Sequence, residues 1–157
     1  MSIEDDIALL QQGPLLGLLG GEALRILAIG SESRIVQRGA LLFTAGEPAD
    51  GAYVVEVGSF TLRTPGGRES IARRGAVLGE YALLIETPRA FSAVAREFSS
   101  VLRIPRPLFL KMLDGYPAVA ERLRRWMLQQ CEELADEISA VRAALAEGLP
   151  ADRPKPN

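Results

Sequence analysis

The 157-residue chain contains no histidine. That absence excludes Ser-His and Cys-His catalysis, histidine-held zinc, two-histidine iron sites and the usual proton shuttle of neutral pH. Cysteine is almost missing too. Cys131 stands alone, which rules out an intrachain disulfide and any multi-cysteine metal site, so a reducing, cytoplasmic setting is expected. Long apolar runs are lacking as well. The longest nearly unbroken one, Pro14 to Gly21, falls far short of the ~18 residues a membrane span requires. The acidic start, with Glu4, Asp5 and Asp6, has nothing of a signal peptide's basic region. Nor does charge of one sign dominate. Eighteen Lys plus Arg against twenty Asp plus Glu leave a net charge of −2, which argues against a general electrostatic grip on nucleic acid. The expectation is a protein that catalyses nothing, holds no metal or cofactor and has neither nucleic acid nor a membrane as partner.

What is present is the composition of one soluble globular domain, with 48% hydrophobic and 24% charged residues. Its texture changes twice along the chain. Residues 1–30 form a helical lead-in, with Ile7 and Leu10 on a short leading turn and Leu24, Ile26, Leu27 and Ala28 after Gly20-Gly21-Glu22; Gly13-Pro14 separates the two pieces. From 31 to 116 glycines punctuate short runs of Val, Ile, Phe and Leu, the pattern of a β-barrel or sandwich. Strands are predicted at 33–38, 40–44, 52–57, 59–64, 68–73, 91–97 and 99–104, with Pro65-Gly66-Gly67 as the clearest hairpin turn. A short helix follows over 107–114, then a break at Gly115-Tyr116-Pro117 and a long helix within 117–148. Residues 149–157, with prolines at 150, 154 and 156, read as a disordered tail.

One stretch inside the β region does not read as strand. Residues 75–92 form a turn, one or two helical turns from Gly79, then an extended exit enforced by Pro88. A helix start offers outward N–H groups to an anion, and Arg89 lies close enough in sequence to fork onto the same anion. Glu80 beside them is repulsive to a phosphate unless it accepts hydrogen bonds from hydroxyls such as those of a ribose. A structural Arg89–Glu80 ion pair is the plainer alternative.

Gly79-Glu80-x-Ala82-Leu83 followed by Pro88-Arg89-Ala90-x-Ser92 resembles the phosphate-binding cassette of cyclic nucleotide-binding domains. Those domains occur in kinase regulatory subunits, gated channels and catabolite-activator-like regulators. The resemblance spans roughly residues 14–130 and includes Arg38-Gly39 with Leu41-Leu42-Phe43, Gly46-Glu47-Pro48-Ala49-Asp50, Tyr53-Val54-Val55 and Val57-Gly58. It implies a mainly β fold, a jelly roll (double-stranded β-helix) flanked by an N-terminal helical lead-in and a long C-terminal helix. It also implies roles residue by residue. Arg89 takes the cyclic phosphate, and Glu80 accepts the ribose 2′-hydroxyl. The backbone near Gly79, Ala82 and Ala90, together with Ser92, completes the cradle, while Leu62 forms part of the wall against the base. Ala90 stands where cGMP-selective relatives tend to carry threonine, so the implied ligand is cAMP, with cGMP the alternative. Two positions depart from the pattern. Leu78 replaces the more usual phenylalanine before Gly-Glu, and Phe91 replaces a small residue. Pointing into the core, Phe91 would spare the cassette; pointing at the phosphate, it would close the site. A cupin-type metal enzyme on the same barrel is excluded by the missing histidines.

The long helix carries a second signal. Met127, Cys131, Leu134, Ile138, Val141 and Leu145 alternate at spacings of four and three, the a/d seam of a coiled coil, with Glu137 and Arg142 at g and e positions. Val119, Leu123 and Trp126 read instead as packing residues against the helix's own barrel. A parallel homodimer is expected, the alternative being a helix folded back on its own domain. Arg122, Arg124 and Arg125, and the acidic Glu132-Glu133 and Asp136-Glu137, read as solvated faces. The whole is expected to be a stand-alone cAMP-binding regulatory domain with natural ends, without a DNA-reading helix-turn-helix, acting on an unidentified effector. The rival reading is a degenerate barrel that binds no nucleotide and serves as a dimeric scaffold; a fragment of a channel or kinase is the third.

Overall fold

The computed structural model describes residues 2–147 and, beyond 130, the side chains of 143 and 145 alone. It divides into two compact units, Met1–Ala120 and a second from Glu121. The chain opens with α1 (Ile3–Leu10), a longer element than the leading turn expected from spacing. The reason is a reciprocal cap. Ser2 Oγ accepts the Asp5 N–H at 3.1 Å, and Asp5 Oδ2 accepts the Ser2 N–H at 3.3 Å. Three acids, Glu4, Asp5 and Asp6, then occupy the positive end of the helix. A 3₁₀ turn at Leu16–Leu18 leads into α2 (Gly21–Gly30), which buries Ala23, Leu24, Leu27 and Ala28 and leaves Ile26 facing outward.

Ten strands follow: β1 (Glu32–Val36), β2 (Leu41–Phe43), β3 (Pro48–Ala49), β4 (Gly51–Val57), β5 (Phe60–Arg63), β6 (Glu69–Ala72), β7 (Val77–Leu78), β8 (Thr87–Pro88), β9 (Ser92–Ala95) and β10 (Ser99–Pro105). Two four-stranded antiparallel sheets, β1-β10-β4-β7 and β2-β9-β5-β6, enclose a jelly-roll interior, and β3 with β8 forms a separate two-stranded ribbon. Phe43, Tyr53, Val55, Phe60, Leu78, Ala93 and Val101 fill that interior. Six consecutive residues of β4, Gly51–Glu56, are buried. One face of the strand looks into the barrel, and α1 lies against the strand as well. The β5–β6 hairpin turns on Pro65-Gly66-Gly67, with Gly67 at φ 91° and its N–H donating to the Thr64 carbonyl at 2.9 Å.

Seven of the strands coincide with expected ones to within one or two residues. The three that were not expected, β3, β7 and β8, are two residues long, too short to carry a period. After β10 come α3 (Arg106–Gly115) and α4 (Pro117–Glu147), a continuous helix of 31 residues. Val119 and Leu123 on α4 are buried. The tail at 149–157 lies outside the described residues.

Candidate functional site

Within the stretch 75–92, Val77–Leu78 stay in the barrel as β7 and Ser92 opens β9; between them the chain leaves the two sheets, and its helical part is a single 3₁₀ turn, Glu80–Leu83, rather than an α-helix. Four residues carry little macrodipole. The Ala82 N–H is spent inside the turn, donating to the Gly79 carbonyl at 3.0 Å. The expectation that the amide near Ala82 joins an anion cradle is therefore not met by Ala82's own N–H. Attraction for an anion falls to Arg89.

Arg89 is aimed by its own backbone. Its N–H donates to Glu47 O and its carbonyl accepts from the Gly46 N–H, both at 2.8 Å, next to the β3–β8 ribbon. The side chain is turned into the barrel and is 7% exposed. Its guanidinium carbon sits 4.4 Å from the Phe43 ring centroid and 5.4 Å from that of Tyr53, two rings stacked 5.8 Å apart. Nη2 lies 4.0 Å from Asp50 Oδ1, and Asp50 is held in turn by Arg103 at 2.7 Å. Burial pulls the guanidinium below its usual pKa, against the opposing influence of Tyr53, Asp50 and Glu47. For Asp50, burial acts upward, but the Arg103 hydrogen bond and charge outweigh it and hold the carboxyl below the usual range.

Gly79 makes room for this arrangement. It adopts φ 79°, and a Cβ there would approach Arg89 Nη1 to 2.5 Å. Glu80, next in the chain, is half-buried. Burial pushes its carboxyl above the usual value, with a hydrogen bond from the Leu15 backbone acting the other way. No ion pair joins Glu80 to Arg89 among the described residues; the acid recorded near Arg89 is Asp50. Instead, Arg89 Nη1 and Glu80 Oε2 are both buried with no hydrogen-bond partner among the described residues. An unmet donor and an unmet acceptor are rare in a folded interior and mark these two side chains out.

A cleft of about 280 Å³ is lined by five of the seven expected ligand residues: Gly79, Glu80, Ala82, Arg89 and Ala90. The structure does not bring the other two to it. Ser92 Oγ accepts the Ala45 N–H at 2.9 Å and so pins the turn before β3, while Leu62 packs against the barrel core. Phe91 does two things at once. It packs on the core with its ring 5.7 Å from Phe43, and it borders the cleft. Phe43, Tyr53 and Asp50 were not anticipated as parts of the site. The only signal for them is that two scarce aromatics sit on strands flanking the Gly46–Asp50 turn. Of the expected dimer residues, Met127 is half-buried and Leu145 is 40% exposed; the side chains of Cys131, Leu134, Ile138 and Val141 lie outside the described residues.

Comparison with known proteins agrees with this geometry. Residues 33–116 match the family described as the cyclic nucleotide-binding domain. A cyclic nucleotide-binding-like protein of Brucella abortus is similar at 38% identity and TM-score 0.63, covering 70% of this chain and 98% of that one. The N-terminal domain of a transcriptional regulator from Streptomyces coelicolor superposes at TM-score 0.74 with 27% identity, covering 83% of this chain and 94% of that one. A cyclic nucleotide-gated potassium channel of Mesorhizobium japonicum is 31% identical over 117 residues, which are 74% of this chain and 32% of the channel. Against such curated relatives the chain spans between 21% and 47% of their length.

Proposed function

Because the chain belongs to the cyclic nucleotide-binding domain family, we propose that it is a cytoplasmic regulatory domain that binds cAMP in the 79–91 cleft and passes the signal on through its C-terminal helix. Arg89 takes the cyclic phosphate through Nη1, and Glu80 accepts the ribose 2′-hydroxyl on Oε2. The backbone around Gly79 and Ala90 closes round the ring, with Ala82 lining the cleft beside them. The observation that carries this reading is that Arg89 and Glu80, each with a buried polar atom unpartnered among the described residues, line one cleft. The domain binds rather than reacts: a guanidinium, a carboxylate and backbone groups suffice to hold a ligand. The C-terminal helix is assigned to a parallel homodimer through Met127, Cys131, Leu134, Ile138, Val141 and Leu145, and its effector is a protein.

Calorimetric titration of cAMP into the wild type and Arg89→Ala tests the assignment. Micromolar affinity corresponds to about −8 kcal/mol, and removing one side of a buried charged contact costs roughly 2–5 kcal/mol. The variant should show no measurable heat while its circular dichroism is unchanged. Equal affinity in the two proteins would sink the cassette assignment. Ala90 has no hydroxyl to reach a guanine, so cAMP should bind more tightly than cGMP, and Ala90→Thr should narrow the gap; a wild type that prefers cGMP overturns this. Phe91 at the cleft edge and the seat of Arg89 against the Phe43 ring favour a second reading, a dimeric scaffold. A folded wild type that takes neither nucleotide selects it.

A further inference from the structure

Arg106 is the first residue of α3, and the helix gains nothing from it there. A cation at the positive end of a helix is unfavourable, and Pro105 at the cap supplies no side-chain hydrogen bond. The placement makes sense only through what the side chain and backbone reach. Nε donates to the Ala82 carbonyl at 2.8 Å, Nη2 donates to the Ala49 carbonyl, and the backbone N–H donates to the Asp50 carbonyl at 2.8 Å. Three bonds therefore leave one residue for two other parts of the fold, β3 with its following residue and the 3₁₀ turn of the cassette. The side chain's two targets, Ala49 and Ala82, are 4% and 1% exposed, where water cannot replace a lost donor. Both line the cleft, while Arg106 lines a neighbouring cavity of about 410 Å³ that shares Ala49, Thr87 and Pro88 with it. No carboxylate pairs with Arg106 among the described residues, so its charge serves the two carbonyls. The fork matters as much as the charge. A planar guanidinium presents Nε and Nη2 at a fixed separation, whereas an ammonium offers its donors from one point.

We propose that Arg106 is a positioning residue that locks the cassette turn to β3 and to the head of α3, so that a nucleotide seated in the cleft is felt at α3. The lock is a property of the ligand-free protein; the transmission rests on the nucleotide reading above. Without the fork the turn keeps its packing on β4 and α3 and the Leu15 hydrogen bond to Glu80 but loses the donor to the Ala82 carbonyl, and the cleft wall then opens locally more often than the core does.

Amide exchange on the full chain, read by mass spectrometry with and without cAMP, decides the matter in wild type, Arg106→Lys and Arg106→Gln. Without nucleotide, the 79–88 segment of both variants should exchange about tenfold faster than in wild type, while β4 exchanges at an unchanged rate. With saturating cAMP, wild type should gain protection in both 79–88 and 106–115, and the variants in 79–88 only. An unchanged cassette in both variants overturns the lock. So does equal acceleration of cassette and β4, which marks a merely structural role. Wild-type behaviour of Arg106→Lys alone overturns the fork. Failure of the wild type to bind cAMP removes the nucleotide reading and the transmission with it, while the ligand-free comparison still decides the lock.

Discussion

Two side chains in the cleft are buried for opposite reasons. Arg89 is kept charged by aromatic faces and Asp50, whereas Glu80 is pressed by burial toward its neutral form. A carboxyl whose folded value is raised leaves the folded state holding more protons than the unfolded one. Stability from this group is therefore full below the ordinary carboxylate value and declines as pH rises through the raised one. Accepting a ribose hydroxyl needs the charged form, so affinity moves the other way. Between those two values, thermal melts should fall with rising pH while cAMP affinity climbs, and Glu80→Gln should flatten both. The variant should also bind about tenfold more weakly, since a hydrogen bond to a charged acceptor is worth roughly 1.5–3 kcal/mol. Parallel rather than opposed trends in wild type would contradict the assignment of Glu80. Arg89 and Glu80 are legible in the sequence because glycine, proline and charge fall in a pattern no plain barrel needs. Phe43 and Tyr53 are not, since an aromatic on a strand looks the same whether it packs a core or seats a cation. Ser92 is ambiguous for a related reason: a hydroxyl at the first residue of β9 fits a ligand or a turn equally well, and here it accepts the Ala45 N–H.

Among the elements, length decided what could be read. Strands of three residues or more betray themselves by runs of Val, Leu, Ile and Phe between turn residues, as β2 and β4 do. β3, β7 and β8 are held by partners instead: Pro48 faces Pro88, and Tyr53 faces Leu78, pairings fixed only once the barrel has closed. The cassette turn is 3₁₀ rather than α because Pro88 and the approach to the ribbon leave it no room to propagate. In α1 the missing information was the cap. Ser2 and Asp5 stand three apart and satisfy each other's backbone N–H groups, carrying an eight-residue helix that is marginal on propensity alone. Ser2→Ala should accordingly cost about 1 kcal/mol in urea unfolding, with the slope unchanged. No loss would mean that packing of Leu9 and Leu10 alone holds the helix.

For the molecule as a whole, the jelly roll with its flanking helices was readable because glycine punctuation, hydrophobic runs and the cassette agree. Association is the level at which the sequence says most beyond the described side chains. In the proposed dimer the six seam positions would bury apolar area at ~25 cal/mol per Å², enough for reversible association. Mild oxidation should trap it through Cys131, and Cys131→Ser should prevent the trap. Leu134→Glu with Ile138→Glu should yield monomers that still bind nucleotide. Sedimentation of the wild type as a monomer at concentrations on the order of those that populate micromolar dimers would exclude the seam. The seat of Arg89 gives such experiments a reporter that needs no label. Its guanidinium carbon lies 4.4 Å from the Phe43 ring centroid and 5.4 Å from that of Tyr53, so ring currents should displace its side-chain resonances upfield of those of a solvated arginine. A phosphate that draws the group away from the rings moves those resonances downfield, and one cross-peak then records the state of the entire molecule.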